Sequence, residues 1–310
     1  MEDNKMKKLF VFVFLAAIFL FTVKLPANAQ AKAPEVAKNN YILIFWGSEY
    51  TPKMGDAVEF FFKNMLRPND VLSILTPLKP VSFPPATRQK YPVDALIDKT
   101  EKVLKNDLAQ GGTSYRTILE QMVQIIIDLG GGESGEAPTN LTASSGPGNI
   151  SVKNHLNNYL RLRQEIINQR KISEKLFLDL AGFFKQQQGK NYLFIFFEKE
   201  IHYIPNRSLM DSLRQNAEIR FNVTDAFESE NTKDILDAEK VITAFKDAGV
   251  TVNFIYMQMK ERRRSGMELR EHSNDVYGVL SKIANATGGE VVTTSKPEAA
   301  LKDAAKKMGL

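Results

Sequence analysis

The fold is decided by an apolar run without polar interruption, Tyr41-Ile42-Leu43-Ile44-Phe45-Trp46. The run turns through the loop GSEYTP at residues 47–52, after which apolar side chains recur at helical spacing. They are Met54, Ala57, Val58, Phe61, Phe62, Met65 and Leu66. A fully buried strand, a loop and an amphipathic helix open many α/β domains. This stretch therefore predicts a strand over 41–46 and a helix over 54–66.

The same alternation continues along the chain. Apolar runs predict strands over 71–76, 191–197, 218–223, 250–256 and 290–292. Helical spacing predicts helices over 94–108, 152–187, 207–215 and 234–246, with others around 118–126 and 276–284. Ser295 and Glu298 have capping-box spacing and predict a final helix. Five prolines between 77 and 92 argue against a regular helix or a central strand there. The pattern predicts a doubly wound, mostly parallel α/β sheet with helices on both faces.

The N-terminus has the features of an export signal. Lys7 and Lys8 precede an apolar stretch over 9–23, and Ala27-Asn28-Ala29 offers a small-residue cleavage site. We predict a signal peptide over 1–29, a linker over 30–40 and one domain over 41–310. That domain contains a flexible glycine-rich segment at 130–149 and a helical insertion at 150–189. The protein is then exported, periplasmic or extracellular; contact with the membrane through an uncleaved signal segment is the alternative.

Composition excludes several classes of site. The chain has no cysteine, so disulfides, a thiol nucleophile and thiolate metal sites are excluded. Its formal charge of +5 falls to +3 without residues 1–29, which carry four lysines and two acids. That charge is too small to indicate a nucleic-acid partner. The short basic run Arg262-Arg263-Arg264 is interpreted as a solvated loop.

Three loops are expected to meet at one edge of the sheet. They span residues 47–51, 111–114 and 198–200, and each follows a predicted strand or opens a helix. Ligands of doubly wound folds bind outside the carboxyl ends of the strands. We therefore expect the functional surface at these loops.

The order and spacing of these loops resemble a von Willebrand factor type A domain over about residues 40–310. AGVTVNFIYM at 248–257 and LSKIANATGGEVV at 280–292 are similar to its penultimate strand and last helix–strand unit. The helical insertion is similar to that of exported bacterial proteins of the type A-related subgroup. The resemblance implies the type A topology and a metal-ion-dependent adhesion site.

The residues of that site are only partly kept. The resemblance places the first-loop Asp on Trp46, its two Ser on Ser48 and Tyr50, the second-loop Thr on Thr113 and the third-loop Asp on Glu198. Mg²⁺ and Ca²⁺ bind tightly where several charged oxygen ligands are present, and Glu198 is the only charged residue among these five positions. We expect a degenerate metal site without a cofactor. A site rebuilt with Glu49 or Asp56 is the alternative, in which Ser48, Thr113 and Glu198 would be the remaining ligands.

The function expected from this combination is non-catalytic. We expect a protein-binding or scaffold module of the cell envelope, with another protein as its partner and no nucleic acid. The expected binding surface comprises Trp46, Ser48, Glu49, Tyr50, Thr113, Tyr115 and Glu198. A hydrolase using Glu198 and His202 as an acid–base pair is a further alternative. His155, His202 and His272 lack metal-ligand spacing, and each is interpreted as a surface or loop residue.

Overall fold

The computed structural model describes residues 39–131, 147–170, 172–217, 219–228, 236–258 and 263–310. The predicted signal peptide and the linker up to residue 38 lie outside the described residues. Of the glycine-rich segment predicted to be flexible over 130–149, residues 132–146 also lie outside them, whereas residues 130 and 131 end a π-helical turn and residues 147–149 begin a helix. Among the helices that are described, none combines the length and the apolar composition needed to cross a membrane.

Eight strands and eleven helices are described, with bounds close to many of those predicted. The strands are β1 (Asn39–Trp46), β2 (Val71–Leu75), β3 (Pro80–Phe83), β4 (Lys190–Glu198), β5 (Ile201–Pro205), β6 (Val250–Met257), β7 (Met267–Glu271) and β8 (Val291–Thr294). The helices are α1 (Pro52–Phe60), α2 (Pro85–Lys90), α3 (Val93–Gly111), α4 (Thr113–Ile126), α5 (Pro147–Gln169), α6 (Glu174–Lys185), α7 (Arg207–Gln215), α8 (Arg220–Phe227), α9 (Ala238–Asp247), α10 (Asn274–Ala286) and α11 (Pro297–Met308). Short π-helical turns extend α1 and α4.

The central sheet has six strands in the order β3-β2-β1-β4-β6-β8. All neighbours are parallel except β3, which pairs antiparallel with β2 at one edge. Numbered within this sheet, the order is 3-2-1-4-5-6, which is the order of a doubly wound fold. The predicted fold class is confirmed. The order reverses between β1 and β4, where Trp46 pairs with Phe197 at the carboxyl ends of the two strands.

Strand alternation divides the core into two layers. On one face Tyr41, Phe45 and Phe194 pack under α1, α3 and α11. On the other face Ile44 and Ile195 pack under α6, α9 and α10. The central strands are buried on both faces, which explains why their sequences read as continuous apolar runs.

A third core lies outside these layers and forms what we term the cap: α4, α5, α7, α8, β5 and β7. The chain enters the cap from the carboxyl ends of the sheet strands, since β5 follows Glu198 and β7 follows Met257. β5 and β7 form a separate antiparallel ribbon. Tyr159 of α5 is fully buried and donates a hydrogen bond to the carbonyl of Tyr203 on that ribbon. The cap thus has its own core, and the chain segments that follow β4 and β6 join it to the carboxyl edge of the sheet.

Several predicted elements were wrong. The strand over 218–223 is instead helix α8, because Val223, Ala226 and Phe227 face the cap core at helical spacing. The single helix over 152–187 is two helices, broken around Arg170 and restarted by the Ser173 side chain, which caps α6.

Two further differences between the predicted and the observed elements are small, one near the C-terminus and one in the proline-rich stretch. The capping box at Ser295 does not form, because helix α11 begins at Pro297 and the hydroxyl of Thr294 accepts the N–H of Lys296 instead. The proline-rich stretch does hold structure: β3 lies at the sheet edge, and α2 has Pro85 in its first turn, where prolines are tolerated.

Candidate functional site

A pocket of about 120 Å³ lies where the strand order reverses, between the sheet edge and the cap. The sheet side is formed by the ends of β1 and β4 and the residues that follow them, and the cap side by α4 and the end of α5. Its lining residues are Trp46, Gly47, Ser48, Pro77, Gly111, Gly112, Tyr115, Ile166, Gln169, Arg170, Ile172, Phe197, Glu198, Lys199 and Glu200. This is the crevice in which doubly wound folds bind ligands.

Glu198 connects the two central loops directly. Its Oε2 atom accepts the backbone N–H of Ser48 at 2.5 Å, and its two oxygens lie 3.0 and 3.1 Å from the Ser48 hydroxyl. The backbone N–H of Glu49 also donates to this carboxylate. Burial raises the pKa of Glu198, and the bonds from Ser48 act against that rise by stabilising the charged form.

Trp46 is half-buried, and its ring belongs to the core rather than to an open surface. It contacts Phe177 and Phe197 edge to face, at centroid distances of 6.0 and 6.4 Å. One side of the residue still lines the pocket. Trp46 thus occupies, with an apolar ring, the position to which the type A resemblance assigns a carboxylate.

Of the other residues predicted to form the binding surface, some line the pocket and others point away from it. Tyr115 lines the pocket, and its hydroxyl donates to the carbonyl of Ile201 at 2.8 Å. Tyr50 turns away and donates to Glu101 of α3 at 3.1 Å. The hydroxyl of Thr113 is exposed and donates to the carbonyl of Ala109 at 2.8 Å. The structure therefore brings Trp46, Ser48, Tyr115 and Glu198 together around one pocket; it does not bring Tyr50 and Thr113 there.

These positions do not fit a divalent cation. Tyr50 and Thr113 direct their hydroxyls elsewhere, Trp46 has no oxygen, and Glu198 is held by Ser48. Within the described part of the chain, no group of three or more histidines or acids is placed to hold a metal ion. Hard cations need several charged oxygens at one point, and this arrangement supplies a single carboxylate.

An ion cluster centred on Arg170 was missed in the sequence. Arg170 follows α5, and its guanidinium lies 2.7 Å from Glu200 and 2.5 Å from Asp275. It also donates to the carbonyl of His272 at 2.6 Å. Only 5% of the Arg170 side chain is exposed, so the cluster is a buried clamp between the cap and α10. Nothing in the local sequence distinguishes Arg170 from the solvated basic residues usual at helix ends.

His202 is buried, contrary to expectation, whereas His272 is a half-buried residue of the loop after β7. His202 lies on β5 and is 3% exposed; its ring meets that of His272 edge to face at 5.3 Å. Neither ring nitrogen of His202 has a hydrogen-bond partner among the described residues. Burial, with Arg163 and Arg270 nearby, lowers the pKa of His202 to about 3. Burial and Arg170 lower the pKa of His272 to about 2.

The structure also describes part of the basic run and both members of the predicted acid–base pair. Arg264 contacts the cap, where it pairs with Glu120 at 2.6 Å and lies over the Tyr203 ring at 5.3 Å. Arg262 lies outside the described residues. Glu198 and His202 do not form a pair, because Ser48 holds the carboxylate and neither ring nitrogen of His202 is hydrogen-bonded to any residue that the structure describes.

Fold and site together define a doubly wound α/β domain with a capped switch-point pocket in which Glu198 is bonded to Ser48. No protein-family model matches the chain, and no curated protein matches it in sequence. Among solved structures, it is similar to the crystal structure of an aerotolerance-related membrane protein from Bacteroides fragilis NCTC 9343 with multiple mutations to serines. The identity is 8%, the match covers 88% of this chain and 98% of that one, and the TM-score is 0.33. The fold class rests on the strand order.

Proposed function

We propose that this protein is an exported, non-catalytic protein-binding module of the cell envelope, related to type A domains but independent of a metal ion. Its binding site is the pocket at the switch point. The single observation that carries the proposal is the bond between Glu198 and Ser48, which joins the loops after β4 and β1. A carboxylate bonded to the facing loop does the bridging that a cation would otherwise do.

The pocket has the character of a recognition site. Trp46 and Tyr115 are rigid aromatic side chains on its walls, and Glu198 and Gln169 offer polar groups. Aromatic residues in concave, partly desolvated positions contribute most to protein binding. Tyr115 is fixed by its bond to Ile201, so little conformational freedom is lost when a partner binds.

The chemistry of the pocket supports binding rather than catalysis. Glu198 is bonded to Ser48, and the Ser48 hydroxyl faces that carboxylate rather than an imidazole base. A serine nucleophile requires an adjacent base, and His202 and His272 have strongly lowered pKa values and lie outside the pocket lining. These contacts favour the proposal over the hydrolase alternative.

Site-specific photo-crosslinking tests the proposal. A benzoylphenylalanine is placed at Lys53 or Ser114, two exposed positions near the loops of the pocket, and at Lys246 as a control. Lys246 lies at the end of α9, just before β6 begins, and therefore at the opposite edge of the sheet. We expect one adduct from envelope extract at the first two positions and none at Lys246, unchanged by EDTA. Equal labelling at all three positions would contradict a defined binding surface. Loss of the adduct in EDTA would favour the rebuilt metal site.

A further inference from the structure

We infer that the switch-point pocket receives a lysine side chain of the partner protein, with the ammonium group at Glu198 and the aliphatic stem along Trp46. This inference rests on the proposed function and deepens it by naming the chemistry of the residue that is recognised.

The charge of Glu198 indicates the kind of group that the pocket receives. Glu198 accepts hydrogen bonds from Ser48 and from the backbone of Glu49, but among the described residues no basic side chain forms an ion pair with it. The carboxylate lines the pocket and is desolvated enough for burial to be the largest influence on its pKa. A buried carboxylate is stabilised most by an opposite charge. The group missing from this environment is therefore a cation.

The basic residues that line the pocket are already engaged. Arg170 lies between Glu200 and Asp275, and Lys199 lies 3.2 Å from Glu271. Arg116, which lies on α4, directs its guanidinium at the carbonyls of Ser48 and Ala109. Each of these cations is held by its own acceptors. A cation from outside the protein is therefore the group that can pair with Glu198.

The walls suit an aliphatic stem. Trp46, Phe197 and Ile172 line the pocket beside Glu198 and offer apolar surface to methylene groups. A lysine side chain buries its methylene stem against such surface while its ammonium group reaches a polar one. The tryptophan ring adds attraction for a nearby cation. The pocket volume of about 120 Å³ is suited to one side chain rather than to a folded segment.

The hydrogen bonds at Glu198 favour lysine over arginine. A carboxylate has about four acceptor positions, and Ser48 and Glu49 already use most of them. A guanidinium binds best when two parallel hydrogen bonds reach both oxygens. An ammonium group is a compact charge that needs fewer free positions. The occupied carboxylate is therefore better matched to lysine.

The inference can be tested without the partner, because Trp46 is the only tryptophan of the chain and its fluorescence reports on the pocket. The purified protein is titrated with Nα-acetyl-lysine methylamide, with the norleucine analogue, which has a similar stem and no charge, and with the arginine analogue. We expect a saturable change with the lysine compound and at least about tenfold weaker binding of norleucine, because the charge-assisted hydrogen bond is lost. We expect arginine to bind more weakly than lysine.

Two variants assign the signal to the carboxylate. Glu198→Gln keeps an oxygen to accept the Ser48 N–H and removes the charge, so it should bind lysine and norleucine equally. Glu59→Gln serves as the matched control and should keep the preference for lysine, because Glu59 is an exposed carboxylate that pairs with Lys63 and does not line the pocket. Circular dichroism confirms that both variants are folded. Equal binding of lysine and norleucine by the unaltered protein, or an unchanged preference in Glu198→Gln, would overturn the inference.

The two proposals can fail separately. A partner captured by crosslinking but not displaced by the lysine compound would leave the binding module intact and overturn the lysine inference. Selective, Glu198-dependent binding of the lysine compound supports the inference about the pocket, and absence of any position-specific crosslink would overturn the protein-binding function alone.

Discussion

The carbonyl oxygen of Ser48 lies 1.9 Å from the point that a Cβ atom on Gly112 would occupy. The loop after β1 and the junction between α3 and α4 are therefore in direct backbone contact at the pocket. Gly112 has a φ of −85°, so the requirement for glycine comes from this close approach and not from an unusual backbone conformation. The contact brings the second predicted loop to the first even though Thr113 points elsewhere.

Gly112→Ala should therefore destabilise the protein, by about 1–3 kcal/mol, because a rigid backbone group must move to admit the methyl group. Urea denaturation measures the change in the free energy of unfolding. Gly182→Ala, in the exposed interior of α6, is the matched control: no atom lies within 4 Å of its added Cβ, and it should stabilise by about 0.5–1 kcal/mol. Equal effects in the two variants would refute the close approach.

Arg170→Met should be among the most damaging substitutions of a charged residue. It would leave Glu200 and Asp275 buried without a cation, a change that costs about 3–5 kcal/mol in comparable clusters. Arg161→Met provides the comparison, since Arg161 forms an exposed pair with Glu165 one helical turn away. That pair should contribute no more than about 0.5 kcal/mol. A small loss in Arg170→Met would show that the clamp is not closed in solution.

His202 and His272 should make the stability of the protein sensitive to acid. The folded pKa values of about 3 for His202 and about 2 for His272 lie below the unfolded value of 6.5. Below pH 6.5 the unfolded chain takes up protons at these two rings while the folded protein does not. Their contribution to the free energy of unfolding is therefore highest above pH 6.5 and falls as the pH decreases toward 3.

Glu200 acts in the opposite direction. Its pKa is raised to about 7 by burial, against the pull of Arg170, so its contribution is present below pH 4.5 and lost as the pH rises toward 7. Between pH 4.5 and 6.5 the two histidines outweigh the one carboxyl, and the stability due to this cluster should fall on acidification.

Urea denaturation at several pH values tests this balance. His202→Phe retains an aromatic ring beside His272 but cannot take up a proton. Between pH 4.5 and 6.5, the free energy of unfolding of this variant should therefore depend less steeply on pH, by about 1.4 kcal/mol per pH unit, which corresponds to one proton. If the variant shows the slope of the unaltered protein, then His202 is not buried as a neutral ring.

Divalent cations should leave the thermal stability unchanged. Melting curves in EDTA and in millimolar Mg²⁺, Ca²⁺ or Mn²⁺ are expected to coincide, because the five aligned positions provide one carboxylate already bonded to Ser48. A site filled at a hundredfold excess over its Kd would add about 2.7 kcal/mol, which raises the Tm by a few degrees in a protein of this size. A rise that disappears in Glu198→Ala would contradict the proposal and support the rebuilt metal site.

The layered fold could be predicted because its strands are buried on both faces. Runs such as Tyr41 to Trp46 contain no polar residue, and the amphipathic helices between them have regular spacing. The ribbon of β5 and β7 could not be predicted in the same way. Its residues alternate between the cap core and polar contacts, and segments such as Met267–Glu271 resemble exposed loop sequence. The helix α8 was mistaken for a strand because a short apolar run fits either period.

The site was predictable in position but not in its contacts. The loops after β1 and β4 had to meet, because parallel strands end at one edge of the sheet, and Ser48 and Glu198 do meet there. The directions of Tyr50 and Thr113 depended on acceptors in α3.

The sequence by itself determined the alternation of strands and helices, the doubly wound sheet and the edge that carries the pocket, because hydrophobic periodicity records which side of each element is buried. Only the tertiary structure decided that Arg170 would clamp Glu200 and Asp275, that His202 would meet His272, and that a cap would enclose Glu198. Those contacts join residues far apart in the chain, and a pattern of burial does not specify the partner that each polar group finds.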